Sequence, residues 1–87
     1  MPYIDRASRL HYYEYEDAPI PDSGGELSYV LARIVARFAD HHTLCYAVIA
    51  DIRDALSGTL NEFNICVADP YEADKRGTNG DVWGPLP

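Results

Sequence analysis

Seven residues of this 87-residue chain, Tyr46, Ile49, Arg53, Leu56, Leu60, Phe63 and Val67, follow one another at intervals alternating between three and four, and six of them are apolar. That spacing is the mark of one helical face, because an α-helix returns to the same side about every 3.6 residues. The run predicts a helix from about Leu44 to Ala68, roughly 35 Å long. Pro70 is expected to stop it, since Asp69, the residue before a proline, is biased out of the helical region. Gly58 in its middle costs about 1 kcal/mol relative to alanine, and marks either the close approach of a neighbouring helix or a kink.

A second amphipathic segment precedes this one. Ser23 is followed three residues later by Glu26, the spacing of a capping box. Leu27, Leu31, Ile34 and Phe38, widened by Val30 and Val35, then form an apolar stripe that runs to a helix end near Asp40. There His41 and His42 meet the negative end of the helix dipole. Two such helices joined by about five residues form, most simply, an antiparallel hairpin.

A two-helix hairpin leaves its apolar faces bare. Leu10, Tyr12, Tyr13 and Tyr15 in the N-terminal arm, where Arg9 to Tyr15 can form a short helix, supply a third layer, and a second copy of the chain covers the rest. Arg53 sits within the core stripe and needs a partner there: a carboxylate from another helix or subunit, or a bound ligand. The expected architecture is a single all-α domain comprising an arm over 1–22, a helical hairpin over 23–69 and an extended tail over 70–87, completed by homo-oligomerisation. The tail keeps Tyr71, Val82 and Trp83, side chains that disordered segments seldom retain. Asn79-Gly80 is a turn signal, after which Asp81-Val82-Trp83 is expected to run extended across the body or a neighbouring subunit.

Charge removes several function classes. Fourteen acids against seven bases give a formal charge of −7, which disfavours general binding to nucleic acid or anionic lipid. The longest apolar stretches fall far short of the ~20 residues that a membrane span requires. The N-terminal residues lack the apolar core of a secretory signal, so a cytosolic protein is expected. Cys45 and Cys66 lie too far apart along one helix for a disulfide and are read as reduced, buried thiols.

No strong catalytic or cofactor motif appears. His41 and His42 are adjacent, point about 100° apart on a helix and cannot share a metal as an i, i+4 pair does; His11, Cys45 and Cys66 add no zinc spacing. Asp51, Asp54 and Glu62 read as a solvated or salt-bridged face, and Ser57 has no nucleophile-elbow context. Arg33 and Arg37 read as an exposed charged stripe beside Glu26 and Asp40. Neither an enzyme nor a metal or other cofactor is expected.

At several of these positions the chain resembles a family of small tailed-phage and prophage proteins of about this length. The likeness runs through Pro2-Tyr3-Ile4, Gly25-Glu26-Leu27 with Tyr29, Tyr46, Ile49, Asp51, Ala55-Leu56, Glu62-Phe63, Pro70-Tyr71-Glu72, Lys75, and Asn79-Gly80-Asp81-Val82 before the aromatic Trp83. Ser28 and Ala50 depart from it where asparagines are expected, and Ile65-Cys66 stands in place of an arginine pair.

The resemblance implies a phage protein acting in the cytoplasm of a bacterial host, and small phage proteins without catalytic motifs often counter host defences. The leading expectation is a non-enzymatic homo-oligomer that sequesters a small nucleotide-derived immune signal, of the cyclic dinucleotide or ADP-ribose type, in an inter-subunit pocket. In that site Arg9, Lys75 and Arg76 meet phosphates, Tyr3, Tyr71 and Trp83 stack on base or ribose, and Asn79 and Asp81 hydrogen-bond ribose or base edges. The alternatives are an acidic protein-interaction module that inhibits a host protein by surface mimicry, and a virion or assembly accessory protein.

Overall fold

Side-chain caps set the start of the arm helix and of the first long helix in the computed structural model, which describes residues 3–80. In the arm, the Asp5 carboxylate accepts a hydrogen bond from the Ser8 backbone N–H at 2.7 Å and opens helix α1 (Arg6–Arg9). A 3-10 turn (Leu10–Tyr12) carries the chain into α2 (Tyr13–Glu16). The arm is thus helical from Arg6 to Glu16, somewhat beyond the expected Arg9 to Tyr15. The Arg9 guanidinium Nε donates back to the Ile4 carbonyl at 2.9 Å.

The capping box ahead of helix α3 (Gly24–His42) is formed. Ser23 Oγ accepts from the Glu26 N–H at 3.1 Å, and the Glu26 carboxylate reaches back to the Asp22 N–H at 2.9 Å. α3 ends two residues after Asp40, and the connection to the next helix is three residues, Thr43 to Cys45, rather than about five. Among the described residues Thr43 is the one non-glycine with a positive φ, at 60°.

The long helix differs most from expectation. α4 (Tyr46–Phe63) passes through a π turn (Asn64–Ala68) directly into α5 (Asp69–Asn79), so Pro70 does not end the helical run. In the π turn the Asp69 N–H reaches five residues back to the Asn64 carbonyl. This widened turn lies where a proline ring would otherwise press on the carbonyl four residues before it. The helix stops at Gly80, whose φ of 88° suits glycine and whose N–H bonds the Arg76 carbonyl at 2.8 Å. The stretch 70–79, expected to be extended, is therefore helical, and the turn expected at Asn79-Gly80 is the helix terminus. Asp81, Val82 and Trp83 lie outside the described residues.

The all-α hairpin with its helical arm is present, and no strand occurs among the described residues. Its core is very small. Val48, 8% exposed, is the one buried side chain among them, supported by half-buried Val35, Ala36, Ala39, Ile49 and Ile52. Tyr46, at the head of the expected stripe, is 92% exposed. The face that α4 turns toward α3 is centred instead on Val48, Ile52, Ala55, Thr59 and Phe63. This set keeps the helical period but is rotated by about one residue, so Arg53 falls on the exposed flank and needs no buried partner. Cys45 and Cys66 are free and exposed rather than buried, because neither the α4 N-terminus nor the π turn is covered by another element.

Candidate functional site

Helical spacing places Ile34, Arg37, Phe38, His41 and His42 on one side of α3, at i, i+3, i+4, i+7 and i+8. The arm brings Tyr12 and Tyr15 over the same side, and together these residues surround a hollow of about 650 Å³ that also includes Asp40. The ring systems form a loose chain. Tyr12 and Tyr15 have centroids 6.1 Å apart, Phe38 and His42 are 4.3 Å apart, and His41 meets His42 edge-on at 4.7 Å. Arg37 supplies the fixed positive charge.

A second hollow opens between α3 and α4. It measures about 560 Å³, and its walls are Leu31 and Phe38 on one side and Ile52, Leu56, Leu60 and Phe63 on the other. Ile34 and Phe38 line both hollows and form the wall between them.

The residues expected to hold a ligand occupy other places. The Tyr3 hydroxyl donates to Glu62 Oε2 at 2.9 Å, and Arg9 is turned back onto the arm's own backbone. Tyr71 and Lys75 are one turn apart on α5, with the ammonium 5.5 Å from the ring centroid; Arg76 is next in sequence and Asn79 lies a turn beyond Lys75. None of these six lines either hollow. They fall into an arm pair and an α5 group, with Asp81 and Trp83 outside the described residues. Sequence reasoning passed over Tyr12, Tyr15 and Arg37 as site residues because it assigned the tyrosines to a packing layer and the arginine to a solvated stripe. The signal that was available is the i, i+4 pairing of Arg37 with His41 beneath an aromatic arm.

Ionisable groups of the arm are tuned by local hydrogen bonds. Donation to Glu62, reinforced by that carboxylate's charge, pushes the Tyr3 phenol up to about 12, and the N–H of Ser8 holds the Asp5 carboxyl below its ordinary value. Among the described residues, no group of three or more His, Cys, Asp or Glu side chains is arranged to hold a metal ion. No helix among them is long and apolar enough to cross a membrane.

With the geometry in place, comparison with known families gives one match: Domain of unknown function (DUF6899) covers residues 1–82. The chain belongs to the DUF6899 family. No curated protein and no solved structure matches it. The DUF6899 match spans the arm, both hollows and α5, so these elements belong to one family unit.

Proposed function

We propose that the protein acts by binding rather than catalysis, and that it sequesters a small nucleotide-derived signal of the cyclic dinucleotide or ADP-ribose type on behalf of a phage in the cytoplasm of a bacterial host. The observation that carries this reading is the hollow between arm and α3. Its volume of about 650 Å³ lies within the range of about 300–1,000 Å³ usual for small-molecule sites. Tyr12 and Tyr15 offer stacking faces for a base, Arg37 offers a planar fork for phosphate, and the imidazoles of His41 and His42 offer ring donors.

Two effects oppose an anion here: the Asp40 carboxylate lines the same hollow, and the hollow lies at the C-terminal end of α3, where exposed carbonyls carry partial negative charge. The dipole term is worth about 0.3–1 kcal/mol at an exposed site, whereas a charge-assisted hydrogen bond contributes about 1.5–3 kcal/mol. Arg37 outweighs the dipole. The α5 group, with Lys75 over Tyr71 and Arg76 beside it, is the second contact region of this reading. It is convex in a single chain and needs a neighbouring subunit to become a pocket.

Calorimetric titration with cyclic dinucleotides and with ADP-ribose tests the proposal. Binding that weakens at least about tenfold in Arg37→Ala, or about 1.4 kcal/mol, with an unchanged circular dichroism spectrum supports it. Neither heat nor a thermal shift with any of these ligands would sink it.

A second reading rests on the charge of the arm. Between Arg9 and Arg33 there are five acids, Glu14, Glu16, Asp17, Asp22 and Glu26, with no lysine or arginine among them, and all five are exposed. This surface suits an acidic module that covers a basic patch on a host protein. Recovery of one host protein by the wild type, abolished in a Glu14→Lys, Asp17→Lys double variant, would favour it over nucleotide binding.

A further inference from the structure

We propose that a second copy of the chain fills the α3–α4 cleft, so that two hairpins pack their apolar faces together in one helical bundle. The chain exposes 7990 Å², whereas a folded protein of its 9.7 kDa is expected to expose about 5,100 Å², an excess of roughly 2,900 Å². The backbone agrees, with a radius of gyration of 17.6 Å where a compact chain of this length has about 12 Å. Obligate homodimers bury about 2,000–5,000 Å² in total over both partners, so the excess per chain is at the level of an obligate interface. A small ligand in a hollow of about 560 Å³ covers only a fraction of it.

Ordering one residue costs about 1–2 kcal/mol of backbone entropy, and most helical stability in a protein comes from packing of the apolar face rather than from the helix itself. With Val48 as its one buried side chain among the described residues, a lone chain has little to offset that cost. The covering partner is therefore needed from the moment the chain is made. A second copy is the one partner always supplied in matching amount, and a two-fold axis lets the same face serve on both sides.

Charge permits the arrangement. Each copy carries −7, yet Asp51 is the single charged residue lining the cleft, so the repelling groups lie off the contact. The Leu56–Leu60–Phe63 ridge of one copy then enters between α3 and α4 of the other, against Leu31 and Phe38. This association requires no nucleotide and goes beyond the ligand reading.

The test uses the full chain without added ligand. Sedimentation equilibrium across the micromolar range is expected to give a dimer or a multiple of one. In a mixture of isotope-labelled and unlabelled chains, filtered nuclear Overhauser contacts are expected between the Leu56, Leu60 and Phe63 side chains of one copy and Leu31 and Phe38 of the other. Tyr46→Glu, on the exposed side of α4, is the control and leaves the mass unchanged, while Leu60→Asp lowers it or unfolds the chain. A helical monomer overturns the proposal, and so does an assembly in which those intermolecular contacts are missing. A monomer whose Trp83 emission is blue-shifted also overturns it, assigning the cleft to the chain's own C-terminal residues. Because no nucleotide is present, failure here is separate from failure of the calorimetric test.

Discussion

The Tyr3 hydroxyl donates to Glu62 Oε2 at 2.9 Å, joining two residues 59 positions apart and tying the start of the arm to the last turn of α4. The Cys66 thiol, one turn further along, donates to the same oxygen at 3.8 Å. A phenol that donates to a carboxylate resists ionisation, and Tyr3 is pushed up from 10.0 to about 12. The folded value is the higher one, so the contact contributes fully below pH 10 and is lost as pH rises through about 12. Subtracting the phenolate absorbance titration of Tyr3→Phe from that of the wild type isolates this residue among the seven tyrosines. The difference curve is expected to have its midpoint near 12, and a midpoint near 10 would show the tie to be absent in solution.

Asp5 carries the opposite sign. The Ser8 N–H, bonded at 2.7 Å, stabilises the ionised carboxylate and lowers its pKa. Its contribution is present above the ordinary carboxylate value and disappears as pH falls through the lowered one. Acidification is thus expected to fray the arm from Asp5 inward before α3 responds. Protection of the Ser8 and Arg9 amides, measured against their intrinsic exchange rates at each pH, is expected to fall in acid in the wild type, and to be low at every pH in Asp5→Ala. An Asp5→Asn variant that keeps this protection in acid would confirm that the cap, not the charge alone, holds the turn.

The parts of this fold that were legible in sequence are those written in neighbouring residues. Ser23 and Glu26 announce α3 because a cap is made within one turn, whereas Asn79-Gly80 reads as a turn within an extended tail and is in fact the end of α5, where glycine takes a φ of 88° without strain. What failed depended on more distant geometry. Pro70 reads as a terminator in every local rule, but the π turn begins six residues earlier, at Asn64, and no local rule locates it. The α4 stripe falls one residue off, with Arg53 inside, because Tyr46, Ile49, Leu56 and Leu60 fit one period as well as Val48, Ile52 and Thr59 fit its neighbour, and Phe63 is common to both. The three-residue link Thr43 to Cys45 leads from α3 into α4, and the helical period alone does not say which of two adjacent apolar faces then meets α3. The arm–α3 hollow was missed for a similar reason: Tyr12 and Arg37 become neighbours only when the arm folds back.

That link contains a second testable feature. Thr43 has φ 60° and ψ 115°, a region that a β-branched residue occupies at a cost of about 1–3 kcal/mol. Glycine removes the Cβ clash but adds roughly 0.5–1 kcal/mol of unfolded-state entropy. The net expectation for Thr43→Gly is a stabilisation of roughly 0–2.5 kcal/mol, whereas Thr43→Val retains the strain and does not stabilise. Urea unfolding of both variants at the same protein concentration as the wild type checks this, and a Thr43→Gly variant less stable than Thr43→Val would contradict it.

Pro70 is expected to maintain the π turn rather than merely tolerate it. In its absence the Asp69 N–H, now bonded five residues back to Asn64, can shift to the Ile65 carbonyl, four back, and restore ordinary α geometry. Removing one residue's worth of bulge turns everything beyond it by about 100° relative to α4. Tyr71, Lys75 and Arg76 then face a new direction while Tyr3 and Glu62 keep theirs. Pro70→Ala is therefore expected to raise stability, by up to about 3 kcal/mol if the proline bears its full helix-interior cost. It is also expected to shift the backbone carbonyl resonances of Asn64 and Ile65 in opposite senses as the hydrogen bond moves between them. If the nucleotide reading holds, the same variant loses affinity despite its greater stability, because the α5 cations no longer point where the wild type presents them. Unchanged carbonyl shifts would show that the π turn is set by the residues of 64–68 themselves.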